Sequence, residues 1–297
     1  MARDLLPAEL RARLCDLRIA SRRTSPLRGG GQHRSRDRGA GLEFSQYRAY
    51  EPGDELRRID WKLYARSDRF FVREAERDSP LAVWVLLDAS ASMAQSDESR
   101  PDWMRLDAGK ALAAAIIETA VRQGDRIGLA VLHDAGSTWL PASSGSRHRD
   151  RALLALHGAQ AGGGVPGEQA WRPLWERIAA DEMVVYIGDC FDDGPVSLLE
   201  RLARARREVC VIQVLTAAER DFPFADGRRF IDPETGEELP GDGRALREAF
   251  LARFGEAQGV LHARFDAAGI RHATCHLDTA LDLPLRTLFP THAGGAG

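Results

Sequence analysis

Downstream of Pro80 the chain alternates between short runs that are apolar at nearly every position and longer stretches with helical spacing, and few folds satisfy that rhythm. The runs are Leu81 to Leu87, Ile127 to Leu132, Met183 to Ile187, Val209 to Leu215 and, more weakly, His272 to Leu277. Successive side chains of a strand point to opposite faces, so a strand apolar throughout must be covered on both. Helix-period segments fill the gaps: Leu106 to Arg122, Arg149 to Leu156, Trp171 to Ala179, Val196 to Arg206, Arg244 to Ala268 and Leu281 to Phe289. Together they predict an open, doubly wound α/β domain around a mainly parallel sheet, over residues 81–290. Near residues 222–243 the rhythm breaks at Asp232-Pro233-Glu234-Thr235-Gly236, between Arg229-Phe230-Ile231 and Glu237-Glu238-Leu239, which predicts a surface hairpin.

Residues 1–40 hold ten arginines against four acids. A helix-like stretch from Asp4 to Ile19 passes into a Gly/Ser/Arg segment from Ser21 to Gly41, whose composition predicts a flexible tail or loop. Without interleaved aromatics this basic stretch is not expected to bind nucleic acid. Residues 41–80 differ. Phe44, Tyr47, Tyr50, Trp61, Tyr64, Phe70 and Phe71 recur among charges around a Pro52-Gly53-Asp54 turn, predicting a small β-rich appendage of two or three short strands.

A formal net charge of -3 on 297 residues excludes wholesale attraction to nucleic acid or membrane. Residues 1–20 lack the apolar stretch of a signal peptide. The longest apolar candidate, Ala111 to Val121, is interrupted by Glu118 and falls well short of a membrane span. Cys15, Cys190, Cys210 and Cys275 lie far apart with no Cys-x-x-Cys pair, which suits reduced thiols in a cytoplasmic protein.

In open α/β sheets, loops and helix N-termini converge beyond the carboxyl ends of the strands, and ligands bind there. After Leu87 comes Asp88-Ala89-Ser90-Ala91-Ser92-Met93, and after Ile187 comes Gly188-Asp189-Cys190-Phe191-Asp192-Asp193. A carboxylate followed by hydroxyls two and four residues later can present three hard oxygens on one side of a tight turn. Such donors suit Mg2+, Mn2+ or Ca2+, and Mg2+ needs few carboxylates because it keeps several waters. One further Asp from another loop completes an adequate set, leaving a position open for an acidic side chain of a partner. Asp and Ser also cap helices routinely, and Ser92 can be read as a cap.

Enzyme signatures are missing. A phosphotransferase working through an aspartyl phosphate needs a second carboxylate two residues on, where Ser90 stands. No Gly-x-x-x-x-Gly-Lys-Ser/Thr loop, Gly-x-Ser-x-Gly elbow or His-Glu-x-x-His helix occurs, and His272 and His276 read as satisfied or exposed rather than ligating.

The string Leu86-Leu87-Asp88-Ala89-Ser90-Ala91-Ser92-Met93 resembles the metal-ion-dependent adhesion motif of von Willebrand factor A domains. Upstream, Phe44-Ser45-Gln46-Tyr47-Arg48-Ala49-Tyr50-Glu51-Pro52-Gly53-Asp54-Glu55-Leu56-Arg57-Arg58-Ile59-Asp60-Trp61-Lys62 resembles the signature of the bacterial domain-of-unknown-function fifty-eight family, whose members place it ahead of such a domain. The resemblance implies a von Willebrand factor A-like fold with its metal at the top of the sheet and a partnership with MoxR-type AAA+ ATPases. By position it makes Asp88, Ser90 and Ser92 the first metal loop and Asp189 the acid of the last. The family's middle loop offers a threonine; the corresponding stretch here, Leu140 to Ser146, offers serines, with Ser143 or Ser144 the candidate and a degraded site the other reading. Members often carry transmembrane helices before the signature, and none is seen in this sequence. Within the signature, Arg48, Asp54, Arg57, Asp60 and Trp61 are candidates for a partner-docking surface, or for the ion pairs and caps that hold a small subdomain together.

The expected function is a divalent-cation-dependent protein-binding module, not an enzyme, that partners a MoxR-type AAA+ ATPase and an acidic protein ligand in assembly or remodelling of a client complex. The alternatives are a metal-dependent hydrolase acting on an anionic substrate, and a structural scaffold with a vestigial metal site.

Overall fold

The computed structural model describes residues 5–21, 43–50, 59–76, 80–133, 137–164, 167–224, 228–231, 238–241 and 243–290. The chain divides into two compact units, residues 1–25 with 81–297, and residues 26–80.

In the larger unit, β3 (Ala82–Asp88), β4 (Arg126–Leu132), β6 (Met183–Gly188), β7 (Glu208–Leu215) and β10 (Arg271–His276) run parallel, and β5 (Thr138–Ser143) closes one edge antiparallel. The sheet order is β10-β7-β6-β3-β4-β5. Alternate side chains feed two cores. Val83, Val85 and Leu87 of β3 point to one face, under α3 (Arg105–Gln123), α4 (Ser146–Gly158) and α9 (Asp282–Leu288). Trp84 and Leu86 point to the other, under α5 (Glu168–Arg177), α6 (Asp193–Arg204) and α8 (Gly243–Ala268). This two-sided burial is why the strands read as unbroken apolar runs. The doubly wound, mainly parallel α/β architecture expected from the sequence is therefore present.

Three local details of the larger unit differ from expectation. The N-terminal helix, α1 (Ala8–Arg13), is shorter than Asp4 to Ile19. Leu6, Leu10, Leu14, Leu17 and Ile19 still join the first core, but Arg122 donates to the Leu14 and Leu17 carbonyls, and the Gln123 amide group bonds both the N–H and the C=O of Ile19. Helical hydrogen bonding is thereby replaced by bonds from the end of α3. β5 carries only one buried residue, Leu140, so it shows no apolar run and reads as loop. The third is a short helix after β7, α7 (Ala217–Asp221), closed by a Thr216/Glu219 capping box. Where the hairpin was expected, β8 (Arg228–Ile231) and β9 (Glu238–Gly241) pair antiparallel, with Ile231 opposite Glu238.

The smaller unit is a ribbon of β1 (Glu43–Ala49) and β2 (Phe71–Glu76) with α2 (Trp61–Ser67) between them. Tyr64 stacks on Phe70 at 4.5 Å, and Trp61 meets both edge-on.

Candidate functional site

Parallel pairing puts Asp88 opposite Leu132, Leu87 opposite Ile187 and Gly188 opposite Gln213. The residues following β3 and β6 therefore emerge side by side at one end of the sheet. Gly188 permits the close approach: a Cβ there would lie 2.6 Å from the Tyr186 hydroxyl and 2.8 Å from the Asp88 Cβ.

Asp88, Ser90, Ser92 and Asp189 are all buried, none more than 7% exposed. Oδ1 of Asp88 accepts from the Ser90 N–H at 2.9 Å, which folds the turn, and Oδ2 accepts from the Tyr186 hydroxyl at 2.9 Å. The Ser90 and Ser92 hydroxyls lie 3.0 Å apart. Burial, and then the neighbouring charge of Asp189, push the Asp88 carboxyl up to about 6. Burial pushes the Tyr186 hydroxyl and the Cys190 thiol well above their ordinary ranges. Cys190 holds a left-handed φ of 59°, a conformation that costs a non-glycine residue about 1–2 kcal/mol. It turns the loop so that the Phe191 N–H donates to Oδ1 of Asp189 at 3.2 Å.

Besides Tyr186, two residues at this site escaped the sequence reading. Arg105, 2% exposed, donates through Nη1 to Oδ2 of Asp189 at 3.0 Å and to the Ser92 carbonyl at 3.1 Å, and through Nη2 to the Glu219 carboxylate. Its place as first residue of an amphipathic helix disguised it, although a cation at the positive end of a helix dipole is itself a signal. Glu219 lies on the unexpected helix α7, where its Oε2 also accepts from the Thr216 N–H at 2.9 Å.

Ser144 is a correction. It follows β5, whose last residue Ser143 faces Ile127 at the start of β4, whereas Asp88 faces Leu132 at its end. Five residues of strand separate the two levels, about 16 Å at the usual rise. Ser143 and Ser144 are exposed at the opposite end of the sheet. The antiparallel turn of β5 carried them there, and linear order had hidden it. The segment that does reach the Asp88 turn is Gly162-Gly163: the Gly163 carbonyl accepts from Ala91 N–H at 2.8 Å, and Gly162 N–H donates to the Ala89 carbonyl at 3.0 Å. It brings backbone and no hydroxyl.

Of the signature candidates, Asp54 and Arg57 lie outside the described residues, and Arg48 sits in β1. Asp60 is a helix cap, accepting from the Lys62 and Leu63 N–H groups at 2.9 and 3.0 Å. Trp61 is 59% exposed.

The donors at the Asp88 turn are all hard oxygens, which fits a magnesium-class ion. Arg105 pairs with Asp189 and Glu219, whereas Asp88 lies beside Asp189 with the Ser90 N–H and the Tyr186 hydroxyl as its partners. Among the described residues no three His, Cys, Asp or Glu side chains converge, so an ion here would depend on the serine hydroxyls and on water. Asp88, Ser90 and Ser92 fit it; Asp189 fits it only in competition with Arg105.

The protein family of unknown function DUF58 matches residues 46–259. The chain belongs to that family. It is similar to uncharacterized protein Rv1480 of Mycobacterium tuberculosis, 32% identical over 215 residues, covering 69% of this chain and 65% of that protein. Mb1516 of Mycobacterium bovis matches to the same extent. The chain thus spans about 65% of the length of these curated relatives. Among solved structures, it is similar to the SpRpn10 VWA domain, with 15% identity, 74% of this chain and 100% of that chain covered and a TM-score of 0.42. An aerotolerance-related membrane protein from Bacteroides fragilis gives 18% identity, coverage of 70% and 98%, and a TM-score of 0.42. The von Willebrand factor A-like character of the fold rests on its own strand order and on the Asp-x-Ser-x-Ser turn after the central strand β3. Among the described residues no helix is long and apolar enough to cross a membrane.

Proposed function

We propose that this chain is a divalent-cation-dependent protein-binding module, without catalytic activity of its own, which works with a MoxR-type AAA+ ATPase in assembling or remodelling a client complex. The observation that carries the reading is the buried turn in which Asp88, Ser90 and Ser92 converge at the carboxyl end of the sheet, beside the Asp189 loop. Magnesium bound there, with manganese or calcium as substitutes, would supply a Lewis-acidic position that an acidic side chain of a partner can complete. Asp88 would hold the ion; the Tyr186 hydroxyl and the Ser90 N–H orient the carboxylate for that task. Phe191, 50% exposed two residues beyond Asp189, offers apolar surface to the same partner. The ATPase partner is inferred from family resemblance, and a cytoplasmic location is part of the same proposal.

The test is a thermal-shift titration with magnesium, manganese and calcium, beside Asp88→Ala/Ser90→Ala, together with capture of a purified MoxR-type ATPase from the same genome. A site that binds only the folded state raises Tm as free ion exceeds its Kd. A rise in the native chain that vanishes in the variant, with ATPase capture lost in parallel, is the expected result; ion-independent capture would sink the reading. The Arg105–Asp189 ion pair favours a second reading, a scaffold whose metal site has been given over to an internal guanidinium, and this predicts no stabilisation by any divalent ion.

A further inference from the structure

We infer that Arg105 is the resident cation of the Asp189 half of the site, that it competes with a divalent ion for that carboxylate, and that Glu219 is the alternative anion onto which it can shift. The inference rests on the metal reading above, but is separable from it. Several features give Arg105 this role rather than one in packing. It is the first residue of a 19-residue helix, where the helix dipole repels a cation, and it is only 2% exposed, where an unpaired charge is costly. An aliphatic side chain would fill such a position without either penalty.

The guanidinium is also divided among three segments. Nη1 is shared by the Ser92 carbonyl and Asp189, Nη2 reaches Glu219, and Nε is buried with no hydrogen-bond partner. It therefore stands against both the first metal loop and the last. A fixed positive charge that close opposes a divalent ion at Asp88 and withholds Asp189 from it. Glu219 sits on α7, on the far side of the guanidinium from the metal loops in the chain of contacts, and is the one carboxylate of the pair not needed by an ion. Movement of Arg105 onto Glu219 would release Asp189 without leaving the guanidinium unpaired. Ion binding would in this way be coupled to the turn at Thr216–Asp221, which lies outside the ion's own ligands.

Isothermal titration of magnesium and manganese into the full chain tests this on Arg105→Gln and Glu219→Gln, with ion-free melting followed in parallel. Removing the guanidinium should tighten ion binding by at least about tenfold, whereas removing its alternative anion should weaken binding several-fold. Both variants should melt lower than the native chain without ion. A merely structural role would move both affinities downward, so the opposite signs decide. If Arg105→Gln does not fold, Glu219→Gln still exposes the inference to failure: unchanged or tighter binding there overturns it. Equal binding by the native chain and Arg105→Gln leaves the metal reading standing and removes this one. Binding by Arg105→Gln where the native chain shows none upholds this one and removes metal dependence from the native protein. No binding by any of the three overturns both.

Discussion

On one flank of the Asp88 turn, buried Asp189 and Arg105 and half-buried Glu219 make an ionic chain whose members are fixed by one another and by the Ser92 carbonyl. On the other flank, Gly162 and Gly163 touch the turn through two backbone hydrogen bonds and bring no side-chain oxygen. A cleft of about 640 Å³, lined in part by His133, Thr138 and this glycine segment, opens on that bare side. The charged flank must be complete before the chain can bury it, because an unpaired charge in a low-dielectric interior is expensive. The glycine flank carries no side-chain charge and demands nothing of the kind. The contrast is between a flank whose charges must be paired and a flank held by backbone alone.

The largest expected effect comes from the charged flank. The Asp88 carboxyl, raised from 3.8 to about 6 in the folded chain, is stabilising only while protonated. Its contribution is present below the unfolded value and lost as pH climbs through about 6. Ion-free stability should therefore fall by something on the order of 3 kcal/mol between roughly pH 4 and 7 relative to Asp88→Asn, measured by urea unfolding. Saturating magnesium should abolish that fall. Identical pH profiles for the two chains would mean that Asp88 feels neither burial nor Asp189.

Tyr186→Phe removes the hydroxyl donor from Oδ2 of Asp88 and should destabilise the ion-free chain by about 1–3 kcal/mol at pH 8, where the carboxylate is charged. The deficit should shrink at pH 4, and a pH-independent loss would assign it to packing. On the bare flank, Gly163 adopts a φ of 71°, so Gly163→Ala should cost about 1 kcal/mol with little change in the Asp88 pH profile. A shifted profile would show that the flanks are not independent. Ser144→Ala, at the far end of the sheet, should stay within about 0.5 kcal/mol and leave any magnesium titration unaltered; a lost titration would restore it as a ligand.

Much of this was legible because burial on both faces writes itself into the sequence as unbroken apolar runs. Leu81 to Leu87 and Met183 to Ile187 located β3 and β6, and the acids that follow them could be placed at one sheet end before any coordinates. β5 was not legible, since an edge strand alternating exposed and partly buried residues resembles a loop. Its antiparallel direction is what displaced Ser144. Arg105 was hidden for a different reason: an arginine opening an amphipathic helix normally faces solvent, and only packing against Asp189 and Glu219 shows that this one does not.

The amino-acid order alone settled the parallel strands, the long helices between them and the Asp-x-Ser-x-Ser turn, because hydrophobic period and turn chemistry act over neighbouring residues. Tertiary structure alone decided which charges share the interior. Asp189 is 84 residues from Arg105 and Glu219 is 114 residues from it, and the choice of partner among many surface acids is made where β6 and β7 end and α3 begins. Coulomb attraction depends on distance in space and on loss of water, and neither quantity is written in the local sequence.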